Sequence, residues 1–265
     1  MDEPWRTVLT LVLGLGTGLL SGLFGIGGAV LSTPAIRALG ATPLESVGTT
    51  LPAIVPSALS GTLHYRRLGL VHNRTVVWTA ATGAIAAVAG SLLSREVPGD
   101  GHALMLVTAA LVGVTGIRMG RSTEPEPIEP PAGAPVTAAP WPGARAWQLV
   151  VVGAGAGGLS GLLGVGGGIV MVPAFTQWLR MPIKLAIGTS LAVVAILAIP
   201  GTIAHAAVGN VHWGFAIPLS ITVVPGARLG AHLTTRTSEQ RTRVAVAVAL
   251  VVVALLFAGG ELASL

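Results

Sequence analysis

Cysteine is missing from all 265 residues, and Asp, Glu, Lys and Arg together make up only 9% of the chain. The first absence excludes disulfides, thiolate metal sites and cysteine nucleophiles. The second excludes an ordinary soluble domain, which is roughly a quarter charged. No Asp or Glu falls inside an apolar run, which removes proton relays and cation sites built on carboxylates, and paired acids for catalysis. G-x-S-x-G, H-E-x-x-H and the Walker A lysine pattern are also lacking, so an enzyme is not expected and no cofactor or metal site is assigned. The one G-x-G-x-x-G run, Gly153 to Gly158, has no acidic residue in the next 25 positions and is read as spurious.

What is present is hydrocarbon. The composition is 52% hydrophobic with a mean hydropathy of +0.80, and runs long enough for a bilayer recur along nearly the whole chain. The net charge of +5 is scattered at span ends, which anchors spans and does not form a nucleic-acid surface. The start MDEPWR lacks a basic n-region and a small-residue cleavage site, so no removable signal peptide is expected. These features predict an all-α polytopic membrane protein whose first partner is the lipid bilayer.

Self-comparison reveals a duplication. Ser21 to Gly28 (SGLFGIGG) recurs as Ser160 to Gly167 (SGLLGVGG), and Pro34 recurs as Pro173. After a one-residue slip, Gly48-Thr49-Thr50-Leu51 aligns with Gly188-Thr189-Ser190-Leu191, His72 with His212, and Gly90 with Gly230. The expected organisation is a first transmembrane repeat at 1–120, a Pro-rich linker at 121–145 and a second repeat at 146–265. Each repeat would hold a broken or re-entrant, glycine-tipped helix hairpin plus three transmembrane helices, near 46–64, 75–94 and 102–119 in the first half. The matching segments of the second half lie near 185–204, 213–234 and 243–260. About 33 residues from Thr7 to Leu39 would make two legs of roughly 25 Å each, short of the ~30 Å hydrocarbon core.

Orientation follows from loop charge. If each hairpin enters and returns, one side holds Arg66, Arg67, Arg74, Arg118, Arg121, Arg145, Arg180, Lys184, Arg236, Arg241 and Arg243, and the other only Arg6, Arg37 and Arg95. The positive-inside rule then makes the rich side cytoplasmic, the linker internal, both termini external and the two repeats inverted.

The duplicated tips, Gly25, Gly27 and Gly28 with Gly164, Gly166, Gly167 and Gly168, can expose backbone N–H groups to an anion between two broken helices. For Gly14, Gly16, Gly18, Gly153, Gly155 and Gly157, close helix packing is the preferred reading. Thr49, Thr50, Thr189 and Ser190 open the next elements, where their hydroxyls either contact substrate or cap helices. Pro52, Pro56 and Pro200 are expected to interrupt the helices that carry them. Arg228 stands well inside a span without a repeat counterpart, which makes it a candidate ligand for an anion, against the alternative of snorkelling. His72 and His212 read as cap or loop residues, and His64, His72, His205 and His212 lack the spacing of a metal site.

The segments GLFGIGGAVLSTPAI and GLLGVGGGIVMVPAF, with VGTTL, IGTSL and GARLGAHL, resemble the TauE/SafE family of sulfite exporter-like permeases. The resemblance covers everything but the linker. It implies a secondary carrier of the bacterial or archaeal inner membrane, for sulfite, sulfoacetate, thiosulfate or related organosulfur or carboxylate anions. Ala29 against Gly168 departs from strict duplication of the tip. A small anionic substrate and a coupling ion, H+ or Na+, are the partners so implied, and a homo-oligomer is compatible with the reading. A passive anion channel and a non-transport accessory membrane protein stay open as alternatives. From the charge bias alone, a fusion reporter at Ala134 is expected to read cytoplasmic; a periplasmic signal would overturn the orientation and the inversion with it.

Overall fold

The computed structural model describes residues 4–28, 32, 33, 35, 36, 39, 41, 43–93, 110, 113, 114, 116–121, 143–163, 167–207 and 209–262. The regular elements among them are helical. They are α1 (Pro4–Phe24), α2 (Pro43–Arg67), α3 (Asn73–Leu93), α4 (Ala146–Leu163), α5 (Gly168–Pro173) continuing into a π-helical turn (Ala174–Trp178), α6 (Ile183–Ala207), α7 (Trp213–Arg236) and α8 (Glu239–Leu262). Most of the expected linker, and of the span at 102–119, lies outside the described residues. Among the described residues, three helices are long and apolar enough to cross a membrane by length and composition: Trp5–Phe24, Ile183–Ala207 and Trp213–Arg236.

Apolar side chains cover the outside as well as filling the core. Val12, Ile85, Ile203, Ile221 and Leu255 are each more than 60% exposed, whereas the buried side chains among the described residues are apolar or carry the hydroxyls of serine, threonine and Tyr65. Hydrocarbon outside and hydroxyls inside is the arrangement a lipid solvent selects, because a charge buried there costs several kcal/mol unless paired.

Small residues set how closely the helices pack. A Cβ added at Gly18 or Gly22 of α1 would run into the α7 backbone at Val223 or Ala227, and one at Gly226 or Gly230 of α7 into the α1 backbone. Across α3 and α4, Gly157 and Gly161 sit equally close to the backbone of Gly83 and Ala87. Without a hydrophobic drive between helices in lipid, such backbone approach is what holds them together. The packing role expected of Gly14, Gly18, Gly153 and Gly157 is therefore observed, while Gly16 and Gly155 face open space.

Directions follow from the same contacts. Gly14 meets Thr222 and Gly22 meets Ala227, so α1 and α7 run parallel. Gly48 lies on Asn210, just past α6, and Gly61 on Leu191 near its start, so α2 and α6 run antiparallel. Each contact has a counterpart with the partners exchanged. Gly14 on Thr222 recurs as Gly153 on Thr82, Gly22 on Ala227 as Gly161 on Ala87, and Gly48 on Asn210 as Gly188 on Leu70. The offset is 139 or 140 positions, the one that relates the two repeats in the sequence.

Two expectations need correction. Pro52 and Pro56 lie within a continuous α2, and Pro200 within α6; a proline removes one N–H, and flanking turns with packed neighbours carry the helix through. The first leg of the first hairpin is not short. At 21 residues α1 spans about 31 Å, while its counterpart α4 has 18, about 27 Å.

Gly18→Val, which drives a side chain into the Val223 backbone, is expected to cost at least about 1–3 kcal/mol. Gly16→Val, in open space, is expected to stay within about 0.5 kcal/mol. Thermal unfolding of the detergent-solubilised variants checks both values.

Candidate substrate site at the glycine loops

The last turn of any helix leaves carbonyls without intrahelical donors, and at α1 this happens among buried residues. Side-chain hydroxyls supply the donors. Tyr65 Oη of α2 donates to the Gly22 carbonyl at 3.0 Å. Thr234 Oγ1 of α7 donates to the Leu23 carbonyl at 3.1 Å. Ser190 Oγ of α6 donates to the Gly25 carbonyl at 3.0 Å, and the Gly25 N–H closes on the Ser21 carbonyl at 2.8 Å. Two of the three hydroxyls come from the opposite repeat.

Past this cap the chain reverses through Gly25, Gly27 and Gly28, whose φ values are +72°, +82° and +79°. At Gly27 a side chain is barred twice, by that conformation and by Val194, whose Cγ1 would lie 2.7 Å from an added Cβ. Ile54 flanks the same glycine. Ile54 and Val194 are repeat-equivalent and lie midway along α2 and α6, which puts Gly27 at the centre of the antiparallel pair. Gly28 folds back onto Thr17 and Ser21 of α1. All four residues from Gly25 to Gly28 are buried, and among the described residues the N–H groups of Ile26 and Gly27 donate to no backbone carbonyl.

The second tip meets the first. A Cβ on Gly168 would lie 2.6 Å from the Gly25 carbonyl oxygen and 2.9 Å from the Ile26 carbonyl carbon. The two are unlike in conformation. Gly167 is helical, with φ −56°, and positive φ among the described tip residues is confined to the first repeat. Gly164 and Gly166 lie outside the described residues.

Of the four candidate hydroxyls, only Ser190 touches the loop of the other repeat. Thr50 Oγ1 stays in its own half, bonded to the Val47 carbonyl at 3.0 Å and 3.3 Å from Thr33 Oγ1. Thr49 and Thr189 do different work on either side of the centre. The His212 N–H donates to Thr49 Oγ1 at 2.9 Å and the His72 N–H to Thr189 Oγ1 at 3.1 Å, so each threonine ties down the start of a helix in the opposite repeat. His72 acts as a cap, as expected: the Thr75 N–H donates to its Nδ1 at 3.2 Å. Burial, with Arg74 adding to it, pushes this imidazole below its ordinary value, which suits a nitrogen that must accept.

Arg228 is not brought to the loops. Helix phase turns the neighbouring Ala227 and Ala231 inward and leaves Arg228 exposed on the outer face of α7. Tyr65 and Thr234 were missed in the sequence. A signal did exist for Tyr65, the single tyrosine of the chain, in the last turn of a helix whose repeat partner has His205 there. Beside the first tip lies a cavity of about 420 Å³ between α1 and α8, walled by Phe24, Ile26, Val248 and Val252. Ser21 also borders this almost wholly apolar cavity, and its Oγ is buried without a partner among the described residues.

The family model described as sulfite exporter TauE/SafE matches residues 10–257. A probable membrane transporter protein of Xylella fastidiosa is 30% identical over 251 residues, 89% of either chain. The probable membrane transporter protein YunE of Bacillus subtilis is 26% identical over 243 residues, 85% of this chain and 86% of that one. Sulfite exporter TauE/SafE family protein 1 of Arabidopsis thaliana is 31% identical over 113 residues, which are 42% of this chain and 24% of that protein. No solved structure matches.

Removing a capping hydroxyl leaves a buried carbonyl unsatisfied, so Ser190→Ala and Thr234→Val are each expected to cost about 1–3 kcal/mol. Ser220→Ala loses only a bond to the Ala216 carbonyl of its own helix and should stay within about 0.5 kcal/mol. Equal melting temperatures for all three variants would contradict the cap.

Proposed function

The chain belongs to the sulfite exporter TauE/SafE family, and on that premise we propose that this membrane transporter exports a small anion, sulfite or an organosulfonate, as a secondary carrier. The observation that carries the proposal is the buried loop Gly25–Gly28. Glycines at positive φ on both sides of Ile26 turn the loop so that its peptide N–H groups can be presented to an anion, as turn backbones do in anion-binding sites. The loop is surrounded by Ile54, Val172, Ile187 and Val194, and a low dielectric strengthens every N–H contact to a charge. The bound anion would take the N–H groups of Ile26 and Gly27, with Ser190 and Gly168 closing the site from the other repeat. Arg228 has no place in this site.

Inversion of the two repeats is part of the proposal. It is supported by antiparallel α2 and α6, by contacts that recur with partners exchanged, and by the paired bonds from Thr49 and Thr189. In an inverted-repeat carrier, two equivalent arrangements of the halves open the central site to opposite sides in turn. With the arginine-rich side cytoplasmic in a bacterial inner membrane, the inside-negative potential drives anion efflux by about 2.3 kcal/mol per charge per 100 mV. Uptake would need a coupled ion such as H+ or Na+.

Efflux of sulfite from proteoliposomes holding the purified chain tests the proposal. Saturating kinetics are expected, with Gly27→Val slowing efflux at least about tenfold, the effect of about 1.4 kcal/mol on the barrier. A rate that rises linearly with sulfite would replace the carrier with a passive pore. Absence of flux for every sulfur oxyanion and organosulfonate offered would leave an accessory role.

A further inference from the structure

Arginines separated in the sequence converge away from the glycine loops. Arg118 and Arg121, one turn apart on the helical segment 116–121, line a cavity of about 350 Å³ together with Arg243 from the first turn of α8. Thr176 and Gln177 of the π-helical turn complete its wall, and its described lining contains no carboxylate. The volume lies at the lower end of the ~300–1,000 Å³ of small-molecule sites. Glu239 stands four residues before Arg243 on α8; with that pair set aside, two guanidinium groups still face the cavity without a described carboxylate in its wall. The Thr176 hydroxyl is committed to the Val172 carbonyl at 2.9 Å, which leaves the guanidinium groups and the Gln177 amide as the side-chain donors of the described lining. Like charges gathered around one small volume repel one another, and an anion between them relieves the repulsion.

The depth of the cavity says where such an anion could come from. Trp178, next to Gln177, stacks edge-on against Trp147 with ring centroids 5.6 Å apart, and both rings are about half exposed. Exposed tryptophans at helix ends mark the headgroup level of a bilayer. Arginine forks fit phosphate oxygens two at a time. We propose that Arg118, Arg121 and Arg243 form a binding site for a phosphoryl oxyanion, supplied either by an anionic lipid headgroup or by free phosphate. The site is separate from the glycine loops and does not rest on the transport reading.

The test uses the purified full-length chain in two arms. In one, its melting temperature is followed as phosphatidylglycerol is mixed into phosphatidylcholine nanodiscs. In the other, inorganic phosphate replaces chloride in detergent at constant ionic strength. Arg118→Gln/Arg121→Gln is compared with Arg66→Gln/Arg67→Gln, which removes the same charge outside the cavity. Stabilisation is expected in the wild type and in the control pair, with about tenfold more ligand needed by the cavity pair, the loss of roughly one charge-assisted bond. A response to phosphatidylglycerol alone identifies the lipid as the source; a response in both arms identifies any accessible phosphate. No stabilisation in either arm, or equal weakening of the two variants, overturns the site.

Discussion

Backbone polar groups in hydrocarbon must find partners within the protein, and the end of α1 is where this rule costs most. The helix stops among buried residues and hands carbonyls at Gly22, Leu23 and Gly25 to three hydroxyls on three other helices. Everything near the centre depends on that arrangement. The cap fixes α2, α6 and α7 around one helix end, and the chain can reverse at Gly25–Gly28 only because the preceding carbonyls are already bonded.

Packing and site are thus two uses of one residue type. Glycines inside α1, α4 and α7 bring helix backbones together, and those of the loop give up helical geometry so that peptide groups face inward. Close packing makes α1 with α7, and α3 with α4, firm pairs that each join helices from both repeats. Alternating access, as proposed, would then move these pairs as units past the antiparallel contact between α2 and α6.

Much of this was legible in the sequence because it is periodic or compositional. The first glycine run, the repeat offset and the positions of the described helices are all found in the structure. What was not legible depends on where a side chain points. Arg228 sits at the right depth but on the wrong face of α7, a matter of 100° of helix phase. Thr49 and Thr189 match in the repeats, yet their partners are the backbone of His212 and His72, more than 110 positions away. Tyr65 and Thr234 acquire their roles only when helices distant in sequence come together. Prolines misled for a related reason, since neighbouring packing decides whether a helix continues.

The crossed capping also bears on how the protein is made. A ribosome releases the first repeat before Ser190 and Thr234 exist, so during that interval the carbonyls of Leu23 and Gly25 have none of their final donors from the second repeat. The first repeat by itself is therefore an unfinished structure that must be sheltered by insertion machinery or by water at the membrane surface until the second arrives. The order of synthesis makes the second repeat the template on which the first completes its fold, and two halves made as separate chains would have to find each other before either could settle.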